Sequence, residues 1–196
     1  ARVEQFRADL DLAETPAEVS LVRAEVAEAG YIRGGAEARR LAKEQRGKKK
    51  PKSQKIGKFS KAGKGGSAAP RTPEGGTPLR RKLAGDYIAL IGKNSRQNEE
   101  VTFHQAAQND LWLHARGVAG AHVIVKSGGR AVPEETLREA GALAAYYSQA
   151  RGEGNAQVDY TEARYVRHMK GGGPGMVVYE RERALHVAPA EIGDPA

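Results

Sequence analysis

Apolar and polar residues alternate through the middle of the chain. In NDLWLHARGVAGAHVIV, residues 109–125, Leu111, Leu113 and Ala115 fall on one side of an extended backbone, and Asp110, Trp112, His114 and Arg116 on the other. The pattern predicts two strands, DLWLHAR and AHVIVKS, around the glycine-containing loop GVAG. DYIALIGK reads as a strand ending at Gly92, EEVTFHQAA as a short strand or a turn of helix, and AQVDYTE as a further strand. GMVVYERERALHVAP reads as a hairpin turning near Arg181–Arg183. VPEETLREAGALAAYYSQA has helical spacing, with Pro133 near its start. Its Ala140, Gly141, Ala144 and Ser148 make a small-residue face able to lie close against a sheet. The expected fold class is α+β: a mostly antiparallel sheet with one main helix packed on one face. Leu111, Leu113 and Ala115 then point to the helix-covered core, and Asp110, Trp112, His114 and Arg116 to an open face.

Residues 83–190 hold this pattern and form the expected domain, with 191–196 as a tail. Residues 1–38 read as short helices, the end of a helical or coiled-coil region. In ETPAEVSLVRAEVAEAG, Thr15 is placed as N-cap, Pro16 at the first helical position and Glu18 three after the cap. Val19, Val22 and Val26 share a face, and Gly30 is a natural stop. Two such helices bury little alone, so they are expected to lean on something outside this chain or on a second copy through residues 1–30. Residues 39–82, rich in Lys, Gly, Ser and Pro, read as a flexible basic linker that buries too little to offset its ordering entropy.

Charge follows the same division. The net charge is +8, yet residues 39–82 alone carry +14, residues 83–190 are neutral and everything outside 39–82 sums to −6. Basicity therefore belongs to the linker, where lysines attract nucleic-acid phosphates without reading sequence. No cysteine is present, which excludes disulfides and thiolate metal sites and fits a reducing compartment. No apolar run reaches the ~20 residues of a membrane helix. The charged start ARVEQFRADL does not read as a signal peptide, and the lack of an initial Met suggests a piece of a longer chain.

Three stretches carry candidate chemistry. On an open face, Trp112 and His114 offer flat rings for base stacking, Arg116 a fork for phosphate, and Asp110 an acceptor. The alternative is equally consistent with the spacing: Trp112 fills a second small core under a loop, and Asp110 and His114 satisfy loop amides. In IGKNSRQNEE, Lys93, Asn94, Arg96, Gln97 and Asn98 are a cluster of donors suited to phosphates or base edges, or an ordinary polar turn. RYVRHMKGGGPGM combines Arg164, Arg167, His168 and Lys170 with glycines that permit close backbone approach. It lacks the order of a P-loop. His104, His114 and His122 with Asp110 are a conceivable metal set, but no HExxH or carboxylate cluster supports a metal-dependent enzyme. No Gly-x-Ser-x-Gly supports a hydrolase. No cofactor is expected.

Four blocks, LIGKNSRQNEEVTF, DLWLHARGVAGAHVIV, LREAGALAAYYSQAR and VDYTEARYVRHMKGGGPGMVVYERERALHVAP, resemble in order and spacing the NFACT-R domain. This is the RNA-binding C-terminal module of the NFACT family, which includes bacterial fibronectin-binding protein A-like proteins. The resemblance covers about residues 80–190, and ADLDLAETPAEVSLVRAEVAEAGYI is similar to the family's middle region. It implies a cytoplasmic, non-enzymatic RNA-binding module of a ribosome-associated quality-control factor. The partners it implies are the large ribosomal subunit with its ribosomal RNA, and tRNA, with no membrane. Family members support alanine tailing of stalled chains; this chain, without the family's large N-terminal domain, is not expected to do so alone. The matching positions are Lys93, Asn94, Gln97, Asn98, Asp110, Trp112, His114, Arg116, Gly120, His122, Lys170 and Gly175, with Arg96 and Arg167 beside them. Gly141 stands where relatives usually have Ala. A competing reading is an adhesion or protein-interaction module, separable from RNA binding by salt dependence.

Overall fold

The computed structural model describes residues 2–32, 76–192 and 194–195. The chain divides into two compact units, residues 1–22 with 73–196, and residues 23–72. The basic linker up to residue 75 lies outside the described residues.

The larger unit is built on a seven-stranded sheet in the order β8-β5-β3-β4-β2-β1-β9. Its strands are β1 (Leu79–Leu83), β2 (Tyr87–Gly92), β3 (Leu111–Ala115), β4 (His122–Val125), β5 (Ala156–Glu162), β8 (Arg183–Val187) and β9 (Asp194–Pro195). All neighbouring pairs are antiparallel. The alternation does what the sequence predicts on one side. Leu111 and Leu113 join Ala89, Ile91, Val123, Val125 and Val158 in the main core, and Ala115 is fully buried. Helix α4 (Glu134–Tyr146) covers this face with Ala140, Leu143 and Ala144, followed by Tyr147. Each fully buried Leu or Val contributes roughly 1.5–3 kcal/mol. The small-residue face is real: a Cβ on Gly141 would stand 2.7 Å from Leu185 Cδ1.

Two elements differ from expectation, and a third decides between the alternatives the sequence left open. LRRKL, of which residues 79–82 were assigned to the linker, is β1, paired along its length with β2. Only its two leucines are apolar, and its exposed Arg80 and Lys82 are typical of a strand near a sheet edge. EEVTFHQAA becomes π-helical turns (Glu100–Gln105) that continue α3 (Ser95–Glu99). GMVVYERERALHVAP is not one hairpin. Val177–Tyr179 (β7) pairs with Val166–His168 (β6) in a separate two-stranded ribbon, and β8 pairs with β5. The crossing runs through Arg181 at φ 57°, beside Thr161 Oγ1, which donates to the carbonyl of Glu180 at 2.9 Å.

At the N-terminus, α1 (Arg2–Asp11) and α2 (Pro16–Glu28) form as predicted. Thr15 and Glu18 make a reciprocal capping box: the Glu18 amide donates to Thr15 Oγ1 at 3.2 Å, and the Thr15 amide to Glu18 Oε2 at 3.1 Å. Within the larger unit, this arm docks on the chain's own domain, where the sequence reading looked for an external support. Leu12 enters the main core, and Asp9 Oδ2 accepts from Ser95 Oγ at 2.8 Å. The part of α2 in the smaller unit ends at Gly30, φ 81°, with the Tyr31 amide donating to the Val26 carbonyl.

Candidate nucleic-acid interface

The second face of the sheet is only partly open. At one end the π-helical turns and the β6–β7 ribbon close over a second core of Leu90, Val101, Trp112, Ile124 and Val166. Trp112 is fully buried, with its ring 4.7 Å from that of Tyr179 and 5.2 Å from that of His122. The expectation that Trp112 presents a stacking surface to solvent is therefore corrected. The alternative, a second core beneath connecting elements, is what forms. The cause is the ribbon: reading residues 175–189 as one hairpin left this face bare.

Asp110 is also buried rather than open. It accepts from Lys126 Nζ at 2.5 Å, the Ala107 amide at 2.8 Å and the Gly128 amide at 3.1 Å. Burial alone would raise its pKa. Lys126 and the two amides outweigh that and hold it below the usual carboxylate range.

The polar run after β2 is a joint. Asn94 caps α3 by accepting from the Gln97 amide at 2.9 Å, and Gln97 Oε1 accepts from the Lys93 amide at 2.9 Å. Asn98 bridges to the start of β4, donating to the Gly120 carbonyl at 3.1 Å and accepting from the His122 amide at 2.9 Å. His122 Nδ1 lies 2.8 Å from Thr102 Oγ1. Burial and the neighbouring His114 keep His122 neutral, its pKa well below the ordinary value. Three glycines let backbones meet here. A Cβ would lie 2.6 Å from the Asn98 amide nitrogen at Gly92, 2.5 Å from Ser148 Cβ at Gly120 and 2.6 Å from the Ser95 carbonyl oxygen at Gly175. Lys93 is turned inward, its Nζ 3.0 Å from Glu14 and 3.1 Å from Glu18. Burial would lower its pKa, but the two carboxylates raise it overall. Lys93, Asn94, Gln97, Asn98, Asp110, Trp112 and His122 are thus buried, and Arg96 is half-buried. An open, ligand-facing surface made of these residues is not what the fold provides.

The other end of the second face is open. His114 is half-buried and Arg116 exposed. Gln157 and His186, paired across β5 and β8, flank core residues and so share this face. Arg116 Nε lies 2.8 Å from Asp159 Oδ2, which also accepts from Tyr179 Oη at 2.8 Å. Burial and Asp159 push the Tyr179 phenol up to about 12. Burial pulls His114 down to about 4 against the opposing pull of Asp159. Arg167 and Lys170 stand exposed on the adjoining ribbon, with Met169. Arg164 and Arg181 gather around Tyr165, the latter donating to its Oη at 3.0 Å. Gln157, His186, Tyr165 and Arg181 were not among the sequence candidates. The alternation in AQVDYTE and RALHV was the available signal for the first two. Among the described residues, no group of three His, Asp or Glu is placed to hold a metal ion. Of the His104, His114, His122 and Asp110 set, His114 and His122 do meet, their rings 5.3 Å apart and edge to face, but Asp110 is taken up by Lys126 and two backbone amides.

Residues 81–179 match the family described as the NFACT protein RNA binding domain. The chain belongs to this family. Its NFACT-R region is similar to proteins named Rqc2 homolog RqcH. Identity is 33% to that of Bacillus subtilis, over 89% of this chain and 25% of the relative. It is 40% to that of Streptococcus suis, over 55% of this chain and 19% of the relative. The chain thus spans a quarter or less of these curated relatives. It also resembles the solved C-terminal part of the fibronectin/fibrinogen-binding protein from Streptococcus suis, with TM-score 0.69 and 31% identity, over 96% of this chain and 63% of that one. Among the described residues, no helix of the NFACT-R chain is long and apolar enough to cross a membrane.

Proposed function

We propose that this chain is the RNA-holding part of a cytoplasmic ribosome-associated quality-control factor. It binds the large ribosomal subunit and tRNA without being an enzyme itself. Alanine tailing belongs to the full-length protein. The observation that carries the reading is the family match together with exposed cations on the domain: Arg116 on the open end of the second face, and Arg167 and Lys170 on the ribbon. Arg167 there pairs with a surface carboxylate: it lies 3.9 Å from Glu180, both largely exposed. Such pairs are weak and exchange readily for phosphate. The lysines of the 39–82 segment add affinity that does not depend on sequence.

A salt titration of binding to large ribosomal subunits and to tRNA tests this. The chain would be compared with Arg116→Ala/Arg167→Ala/Lys170→Ala, and with a variant whose Lys48, Lys49, Lys50 and Lys52 are replaced by glutamine. Both sets should weaken binding, and the slope of log K against log salt should flatten by about one for each phosphate no longer neutralised. Weakening confined to the linker variant would move RNA binding off the folded domain. Binding indifferent to salt would point to a protein partner instead.

A further inference from the structure

On the second face, two buried polar atoms lack a hydrogen-bond partner among the described residues: Trp112 Nε1 and Asp159 Oδ1. Their residues are 0% and 1% exposed. Between them stands His114. It lies directly across from Asp159 in the β3–β5 register, and its ring is 5.7 Å from that of Trp112, inclined by only 16°. His114 makes no hydrogen bond among the described residues. Asp159 uses its other oxygen fully, accepting from Arg116 and Tyr179. A buried acceptor left unpaired is costly, and folded proteins rarely keep one without a purpose. The outer partner is Arg116, with its side chain 44% exposed over an Asp159 side chain at 2%. A guanidinium drawn toward a phosphate would uncover the carboxylate beneath.

We propose that this corner is a nucleobase pocket, in which an unpaired RNA base stacks on His114 and donates an amino hydrogen to Asp159 Oδ1, with its phosphate on Arg116. The proposal rests on the RNA-binding reading above and adds a base preference to it. A carboxylate oxygen accepts from the exocyclic amino group of adenine, cytosine or guanine. Uracil offers only an imino hydrogen flanked by two carbonyls, whose lone pairs repel the carboxylate. The imidazole stays neutral at pH 7, since burial lowers its pKa to about 4. It therefore provides a ring face for stacking and not a further charge for phosphate.

Trp112 is the only tryptophan of the chain, so it reports on this corner directly. The whole chain would be titrated with end-labelled single-stranded oligo(A), oligo(C) and oligo(U), reading RNA anisotropy and tryptophan emission together. Oligo(A) and oligo(C) should bind roughly tenfold tighter than oligo(U), as one charge-assisted hydrogen bond provides, and should change Trp112 emission. His114→Ala and Asp159→Asn should bring the three affinities together. Thermal melts would check folding, and if Asp159→Asn does not fold, the half-buried His114→Ala carries the test. Equal affinity for the three RNAs with unchanged emission would overturn the pocket and leave the RNA-binding reading standing. No anisotropy change with any RNA would overturn both.

Discussion

Gly120 and Gly141 are both buried, yet alanine should be tolerated at only one of them. At Gly141 the new methyl meets the Cδ1 end of Leu185, which can rotate away, and the helix gains from losing a glycine. The two effects oppose each other, and Gly141→Ala should change stability by less than about 1 kcal/mol. At Gly120 the methyl meets Ser148 at Cβ, 2.5 Å, and Cα, 3.0 Å, where β4 and the end of α4 are bridged. Neither atom can move without its backbone, so Gly120→Ala should cost roughly 2–3 kcal/mol. Urea unfolding of the two variants separates them; equal losses would refute the distinction between side-chain end and backbone. Residue by residue, the sequence is a good guide to side and a poor one to solvent. Period 2 assigned Trp112, His114 and Arg116 to one face correctly. It could not say that Tyr179 and Val101 would cover the first and leave the last exposed, because that depends on elements distant in the chain.

Among the elements, the main helix, the central strands and the capped α2 were readable because each carries its own periodicity or cap. β1 was not, since LRRKL owes its strand form to β2 and not to apolar content. The β6–β7 ribbon was not either, because adjacency favours pairing Val177–Tyr179 with the strand that follows. His122 in the joint of α3, the π-helical turns and β4, and His114 on the neighbouring β3, share a titration signature. His114 and His122 both have pKa values below those of the unfolded chain, through burial first. As pH falls through about 6.5 the unfolded chain takes up these protons and the native one does not. Stability is therefore full above about pH 7 and declines toward pH 4, by up to about 1.4 kcal/mol per pH unit for each group. Urea midpoints between pH 8 and pH 5 should fall accordingly, and His122→Gln should flatten the decline. A midpoint independent of pH over that range would mean that the two rings are not held neutral.

Within the larger unit, Lys93 ties the arm of residues 2–22 to the domain electrostatically. Lys93 leaves the end of β2, is 8% exposed, and spans to Glu14 and Glu18 at the start of α2. This explains why a residue expected to reach for phosphate is unavailable: its charge is already answered from within the chain. Glu18 does double duty, since it also closes the capping box with Thr15. Its pKa is lowered overall because Lys93 and the two amides outweigh the burial that would raise it. Lys93→Ala should therefore loosen the arm while leaving the sheet intact. The cost falls between that of a surface pair and a buried one, roughly 1–3 kcal/mol, because Glu14 is mostly exposed and Glu18 is not. Hydrogen exchange reads this locally. Amides of α1 and the first turn of α2 should exchange faster in Lys93→Ala, and those of β3 and β4 should not. Glu14→Gln should reproduce little of the effect and Glu18→Gln most of it. Uniform acceleration in both regions would mean that Lys93 holds up the domain itself, and no acceleration would mean that Leu12 and the Asp9–Ser95 bond suffice to seat the arm.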